Sequence, residues 1–188
     1  MKNWVVFIFT LVIVSACSNE RLSRSEAVTK YYNGFDTGNF NEIKSVLGDS
    51  ITLSSGDYVM PYGHSDFYEF FKWDSVFDTS FKIIDLIEKG NQIEVKIKSE
   101  SDRYRYLENN PLETKFLISF DEGRITSIKD LGSETADWVL WRTKVDTLVN
   151  WTKVHHPELD GFIFDISMKG AQNYREAIRH FERGPNVK

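Results

Sequence analysis

Apolar and polar residues alternate most cleanly over residues 92–98. There Ile93, Val95 and Ile97 take turns with Gln92, Glu94, Lys96 and Lys98. A period of two places the apolar side chains on one face of a strand and the charged ones on the other. The preceding run, 81–87, is rich in β-formers and closes at Lys89-Gly90-Asn91. The following run, 115–120, meets 124–128 through Asp121-Glu122-Gly123. Gly90 and Gly123 suit the positive φ of tight hairpin loops. Residues 79–131 therefore predict an antiparallel meander with one wet and one buried face.

Helical spacing brackets this meander. Ser23 and Glu26 fit a capping box, and Ala27, Val28, Tyr31, Tyr32 and Phe35 form one apolar stripe that stops at Gly38. Asn39 can cap a second short helix carrying Phe40, Ile43, Val46 and Leu47, with Gly48 at its end. Residues 51–54 predict a strand, 55–57 a turn, and 58–63 an irregular link containing Pro61. A third helix is expected from His64 or Ser65 to about Trp73. The mixed-charge residues 100–103 read as a solvated loop, and 104–111 as a strand end or a long hairpin loop. Past the meander, Trp138, Trp141, Val145, Leu148 and Thr152 recur at three- and four-residue steps, which predicts a helix over 134–154. A Gly-interrupted apolar link at 159–166 leads to a last helix capped by Ser167, with Ala171, Tyr174, Ile178 and Phe181 on one face. Two helices with apolar stripes must pack on something, either the rest of the domain or a partner.

The first residues have a different character. Lys2 precedes an apolar run, 4–14, that is too short to span a bilayer and ends in Val14-Ser15-Ala16-Cys17. This stretch resembles the bacterial lipoprotein signal, in which an aliphatic residue and two small ones precede an invariant cysteine. The resemblance implies a signal peptide over 1–16, cleavage before Cys17, and acylation of its thiol and new amino group. Several acyl chains hold a protein stably on a membrane. Residues 17–23 would be the lipidated tether. Ser18 stands where an aspartate would signal inner-membrane retention, so the expected location is the outer membrane, facing the periplasm. Cys17 is the single cysteine, so no intramolecular disulfide is available and the core must do the stabilising.

Two N-terminal helices, a strand, an irregular Gly-containing link, a third helix and a long meander resemble the NTF2-like superfamily in order. The matching pieces are residues 31–47, residues 63–77 and the hairpin Phe120-Asp121-Glu122-Gly123-Arg124-Ile125. The resemblance implies an α+β fold over 24–131, a cone in which a curved antiparallel sheet wraps around the N-terminal helices and leaves a pocket. Residues 132–188 would be a C-terminal helical extension. The superfamily includes ketosteroid isomerase, scytalone dehydratase, limonene epoxide hydrolase and many non-catalytic binding domains, so this fold does not fix a function.

Composition narrows the field. The net charge of -5 supplies no basic stripe for nucleic acid. With 14 Phe, 8 Tyr and 5 Trp, aromatics either fill a core or line an apolar pocket. Tyr32 and Tyr58 are candidate hydrogen-bond donors to a developing oxyanion. His64 titrates in the useful range but equally suits a helix start. Asp85 interrupts an apolar strand and is either an inward acid or a solvent-facing residue near Lys82. Tyr104 and Tyr106 could gate a pocket mouth or cover the sheet. No aspartate–arginine–aspartate arrangement of the epoxide-hydrolase kind is evident, and no family catalytic motif carries over. His155, His156 and the remote His180 form no convergent metal set, and nothing calls for a cofactor. The expectation is a membrane-anchored, non-catalytic lipoprotein that binds a small apolar ligand or a protein partner, with dimerisation through the sheet possible in this fold. The alternative is a pocket acid/base enzyme of isomerase, dehydratase or hydrolase type.

Overall fold

The computed structural model describes residues 22–184; Cys17 and the sequence features before it lie outside this range. Helix α1, Arg24–Asp36, starts as the capping box requires: the Ser23 hydroxyl accepts from the Glu26 N–H, and the Glu26 side chain reaches back to the Ser23 N–H. Its buried side chains include Ala27, Val28, Tyr31 and Tyr32, the stripe read from the spacing. Helix α2, Phe40–Lys44, is shorter than expected. Val46 and Leu47 leave it because they are wanted by the sheet: the Ile125 N–H donates to the Val46 carbonyl at 2.9 Å, and Leu47 opens strand β1, Leu47–Ser55.

Residues 58–63 are not irregular. They form strand β2, Tyr58–Gly63, antiparallel to β1 with Thr52 opposite Pro61. β2 is the outermost strand of the sheet, where a proline's missing N–H leaves no ladder bond unmade. Helix α3, His64–Ser75, follows. Strands β3, Ser80–Lys89, β4, Gln92–Glu100, β5, Leu112–Asp121, and β6, Arg124–Ser133, make the meander. The six strands run in the order β2-β1-β6-β5-β4-β3, and every pair is antiparallel except β1 with β6.

On β4 the predicted alternation is complete: Ile93, Val95 and Ile97 are buried, and Lys96 on the opposite face bonds Glu113 at 2.7 Å. Each of those aliphatic side chains contributes about 1.5–3 kcal/mol by leaving water. The ion pairs outside contribute little, because water and salt screen them. Register shifts interrupt β3/β4 at Ile83/Asp85 and β5/β6 at Lys115/Phe116 and Ser119/Phe120. Such irregularities bend strands and increase local twist, so the sheet curls around α1.

The mixed-charge stretch after β4 is not a solvated loop. Ser101 is buried and caps helix α4, Asp102–Tyr106, by accepting from the Tyr104 N–H at 3.0 Å. The last two helices are α5, Trp138–His155, and α6, Met168–Arg183, joined through two 3₁₀ turns, Pro157–Leu159 and Phe162–Phe164. Leu148, Phe162, Ala171, Tyr174 and Ile178 pack with Val76, Phe77, Tyr106 and Leu107 in a second apolar core. The C-terminal helices therefore lie against the end of α3 and against α4. No described helix is long and apolar enough to cross a membrane.

Candidate ligand-binding site

A cavity of about 340 Å³ lies inside the cone. Its size is at the lower end for small-molecule sites. Tyr31, Tyr32 and Phe35 of α1 form one wall; Leu53, Ile97, Phe116 and Ile128 of the sheet form the opposite one. One end is polar. It combines Asp74 and Trp73 from the last turn of α3 with Arg103 and Tyr104 of α4.

The placement of Asp74 follows from helix periodicity. Phe67, Phe70 and Phe71 turn one face of α3 into the apolar core, and Asp74 follows Phe70 by four residues and Phe71 by three. A carboxylate is thereby carried onto the cavity side. Burial pushes its carboxyl up to about 6, while the nearby Arg103 guanidinium and the Thr79 hydroxyl pull the other way without cancelling it. The phenols of Tyr31 and Tyr32 are raised well above their ordinary range, chiefly by burial, and stay protonated donors.

Arg103 sits among aromatic rings. Its guanidinium carbon lies 4.8 Å from the Trp73 ring centroid, 5.1 Å from Tyr104, 5.5 Å from Trp141 and 5.6 Å from Phe77. Stacking of this kind fixes the plane of the guanidinium and leaves its edge N–H groups available. Trp141 belongs to α5, so the C-terminal extension completes the support of this polar end.

Of the residues singled out from the sequence, Tyr32 and Tyr104 line the cavity. Four do not reach it. Tyr58 is 76% exposed on the edge strand β2. The His64 ring bonds the Gly48 carbonyl at 2.7 Å, which ties the start of α3 to β1. Asp85 is exposed beside the β3 irregularity, and its carboxylate accepts from the Leu86 N–H. Tyr106 is buried in the second core, where its hydroxyl donates to the Lys144 carbonyl at 3.2 Å. The sequence reading missed Asp74 and Arg103. Helical spacing from Phe67, Phe70 and Phe71 was the signal for Asp74; Arg103 had none, because α4 reads as loop.

A larger cleft of about 990 Å³ runs between the end of α3, α4 and α6. Its three arginines are already engaged: Arg175 donates to the Val76 carbonyl and pairs with Asp78 at 2.6 Å and Asp102 at 3.1 Å, Arg105 pairs with Asp102 and Arg179 with Glu176. That wall holds helices together. Among the described residues, no group of three or more His, Cys, Asp or Glu side chains could hold a metal ion. On α5, Trp138 is half exposed beside the strongly exposed Val139, while Trp141 is partly buried against the second core.

No family model matches the sequence, and no curated protein matches it. Solved structures do resemble the fold. TerC, co-crystallised with polyporic acid, is 18% identical with a TM-score of 0.51, over 65% of this chain and 98% of its own. An NTF2-like protein of unknown function from Cytophaga hutchinsonii is 14% identical with a TM-score of 0.49, over 62% of this chain and 94% of its own. Another from Burkholderia pseudomallei is 16% identical with a TM-score of 0.49, over 63% and 96%. Identities this low speak to fold alone. The fold is an NTF2-like cone, α+β, with two further helices at its C-terminal end.

Proposed function

We propose that this chain is a lipid-anchored envelope protein whose cone binds a small, mainly apolar molecule. The observation that carries the binding reading is the cavity itself: about 340 Å³, walled largely by aromatic and aliphatic side chains, with a few polar ones among them, Asp74 and Arg103 included. That combination is the usual make-up of a small-molecule site. The anchoring half rests on the lipobox residues Val14-Ser15-Ala16-Cys17.

A second reading has its own observation. Asp74, near 6 in an apolar cavity beside tyrosine hydroxyls, is equipped for acid–base work close to neutral pH. Catalysis would need a substrate proton placed against Asp74, and binding comes first in either case.

Native mass spectrometry of the mature protein, purified in mild detergent from its own host, tests both halves. A mass increment of a lipidated cysteine together with a co-purified small molecule is the expected result. An unlipidated chain would remove the anchor. A protein that stays empty after exposure to a host metabolite extract would remove the ligand.

A further inference from the structure

Among the described residues, Arg103 forms no ion pair with a carboxylate, although Asp74 is close enough to feel its charge. It is not a surface arginine: α4 holds it half-buried, and four aromatic rings lie around it, from α3, α4, α5 and, in Phe77, the residues just past α3. A guanidinium offers five donors in a rigid fork that matches a carboxylate, and stacking on aromatic faces leaves that fork open at its edge. Asp74, Tyr31, Tyr104 and Asp130 line the same cavity. Asp130 is already committed: the Ser55 hydroxyl donates to it at 3.0 Å and the Gly132 N–H at 2.7 Å. A cation of fixed orientation therefore faces an apolar cavity with its donors unclaimed.

We propose that the cavity takes an apolar or aromatic molecule ending in a carboxylate or equally acidic group, with the acid end on Arg103 and beside Asp74. This rests on the small-molecule reading above and names the class of molecule.

The charges then dictate a proton balance. An arriving carboxylate is drawn by Arg103 and repelled by Asp74 when Asp74 is ionised. Protonated Asp74 removes the repulsion and can donate a hydrogen bond to the ligand. Binding should therefore take up a proton and tighten as pH falls toward 6. The groups facing Asp74 are Arg103 of α4, Tyr31 of α1 and Thr79 beyond the end of α3; burial holds the Tyr31 phenol well above its ordinary range, and Thr79 carries no ionisable group.

The probes are 2-naphthoate and its neutral counterpart 2-naphthamide, titrated calorimetrically into the soluble form of the protein beginning at residue 18. Naphthoate should bind roughly ten- to hundredfold more tightly than naphthamide, the range for a charge-assisted contact. Arg103→Met should erase that preference while naphthamide still binds. Asp74→Asn should keep the preference and remove the pH dependence and proton uptake. Equal binding of the two probes, or a preference that survives in Arg103→Met, overturns acid recognition and leaves the cavity reading standing. Failure of both probes to bind wild type overturns both. Should Arg103→Met not fold, wild type still decides: naphthoate affinity that does not rise between pH 8 and pH 6 overturns the inference.

Discussion

At the residue scale, Asp74 is a buried carboxyl on the cavity wall. In the unfolded chain its carboxyl titrates near 3.8, and in the folded protein near 6. The folded state therefore holds its proton more tightly. The stability this confers is fully present below about pH 4 and is lost as pH rises through about 6. Two units correspond to a few kcal/mol, so the loss should be on the order of 2–3 kcal/mol. Asp74→Asn lacks this term. Urea unfolding of the two proteins from pH 4 to 7.5 should show the Asn variant gaining on wild type as pH rises. A constant difference would mean that Asp74 is not buried as described. The residue-level reading of the sequence separated roles unevenly. Tyr32 lies on the inward stripe of α1, where periodicity is regular, and it lines the cavity. Asp85 interrupts an apolar run and left two readings, an inward acid or a solvent-facing residue; the register shift at Ile83/Asp85 turns it to solvent. A period-two argument cannot see a bulge of one residue.

At the element scale, the chain divides into pieces that announce themselves and pieces that only tertiary contacts produce. The meander from β3 to β6 is legible because alternation, glycine turns and length agree. Strand β2 is not, because Pro61 argues against a strand everywhere except at an edge, and edge position is a property of the whole sheet. Helix α4, five residues long, has too little sequence to display periodicity, and with it Arg103 escaped notice. The start of α6 carries a sharper constraint. Gly170 sits in its first turn, and a Cβ there would overlap the backbone carbonyl of Asp165. Asp165 ends the 3₁₀ turn that brings Phe162 onto Tyr174, with ring centroids 4.7 Å apart. Gly170→Ala should therefore cost about 1–3 kcal/mol despite alanine's better helix propensity. A rise in stability on denaturant unfolding would contradict this packing.

At the scale of the whole molecule, two cores share α3. Its N-terminal part, through Phe67 and Phe71, belongs to the cone, while Trp73, Val76 and Phe77 at its end belong to the core built with α5 and α6. Asp74 and Arg103 lie where these two cores meet, and Trp141 of α5 stacks on Arg103. The C-terminal helices thus back the polar end of the cavity. Amphipathic spacing foretold both helices. It could not foretell their seat, because a stripe of apolar residues does not name the surface it covers. The cavity inside the cone is the ligand site proposed for this protein. Backbone NMR of the ¹⁵N-labelled protein during titration with 2-naphthoate tests it most directly. Shifts concentrated at Tyr31, Tyr32, Asp74, Arg103 and Phe116, saturating together, are the expected result. Shifts confined to the outer faces of α5 and α6, with the cavity residues unmoved, would contradict it.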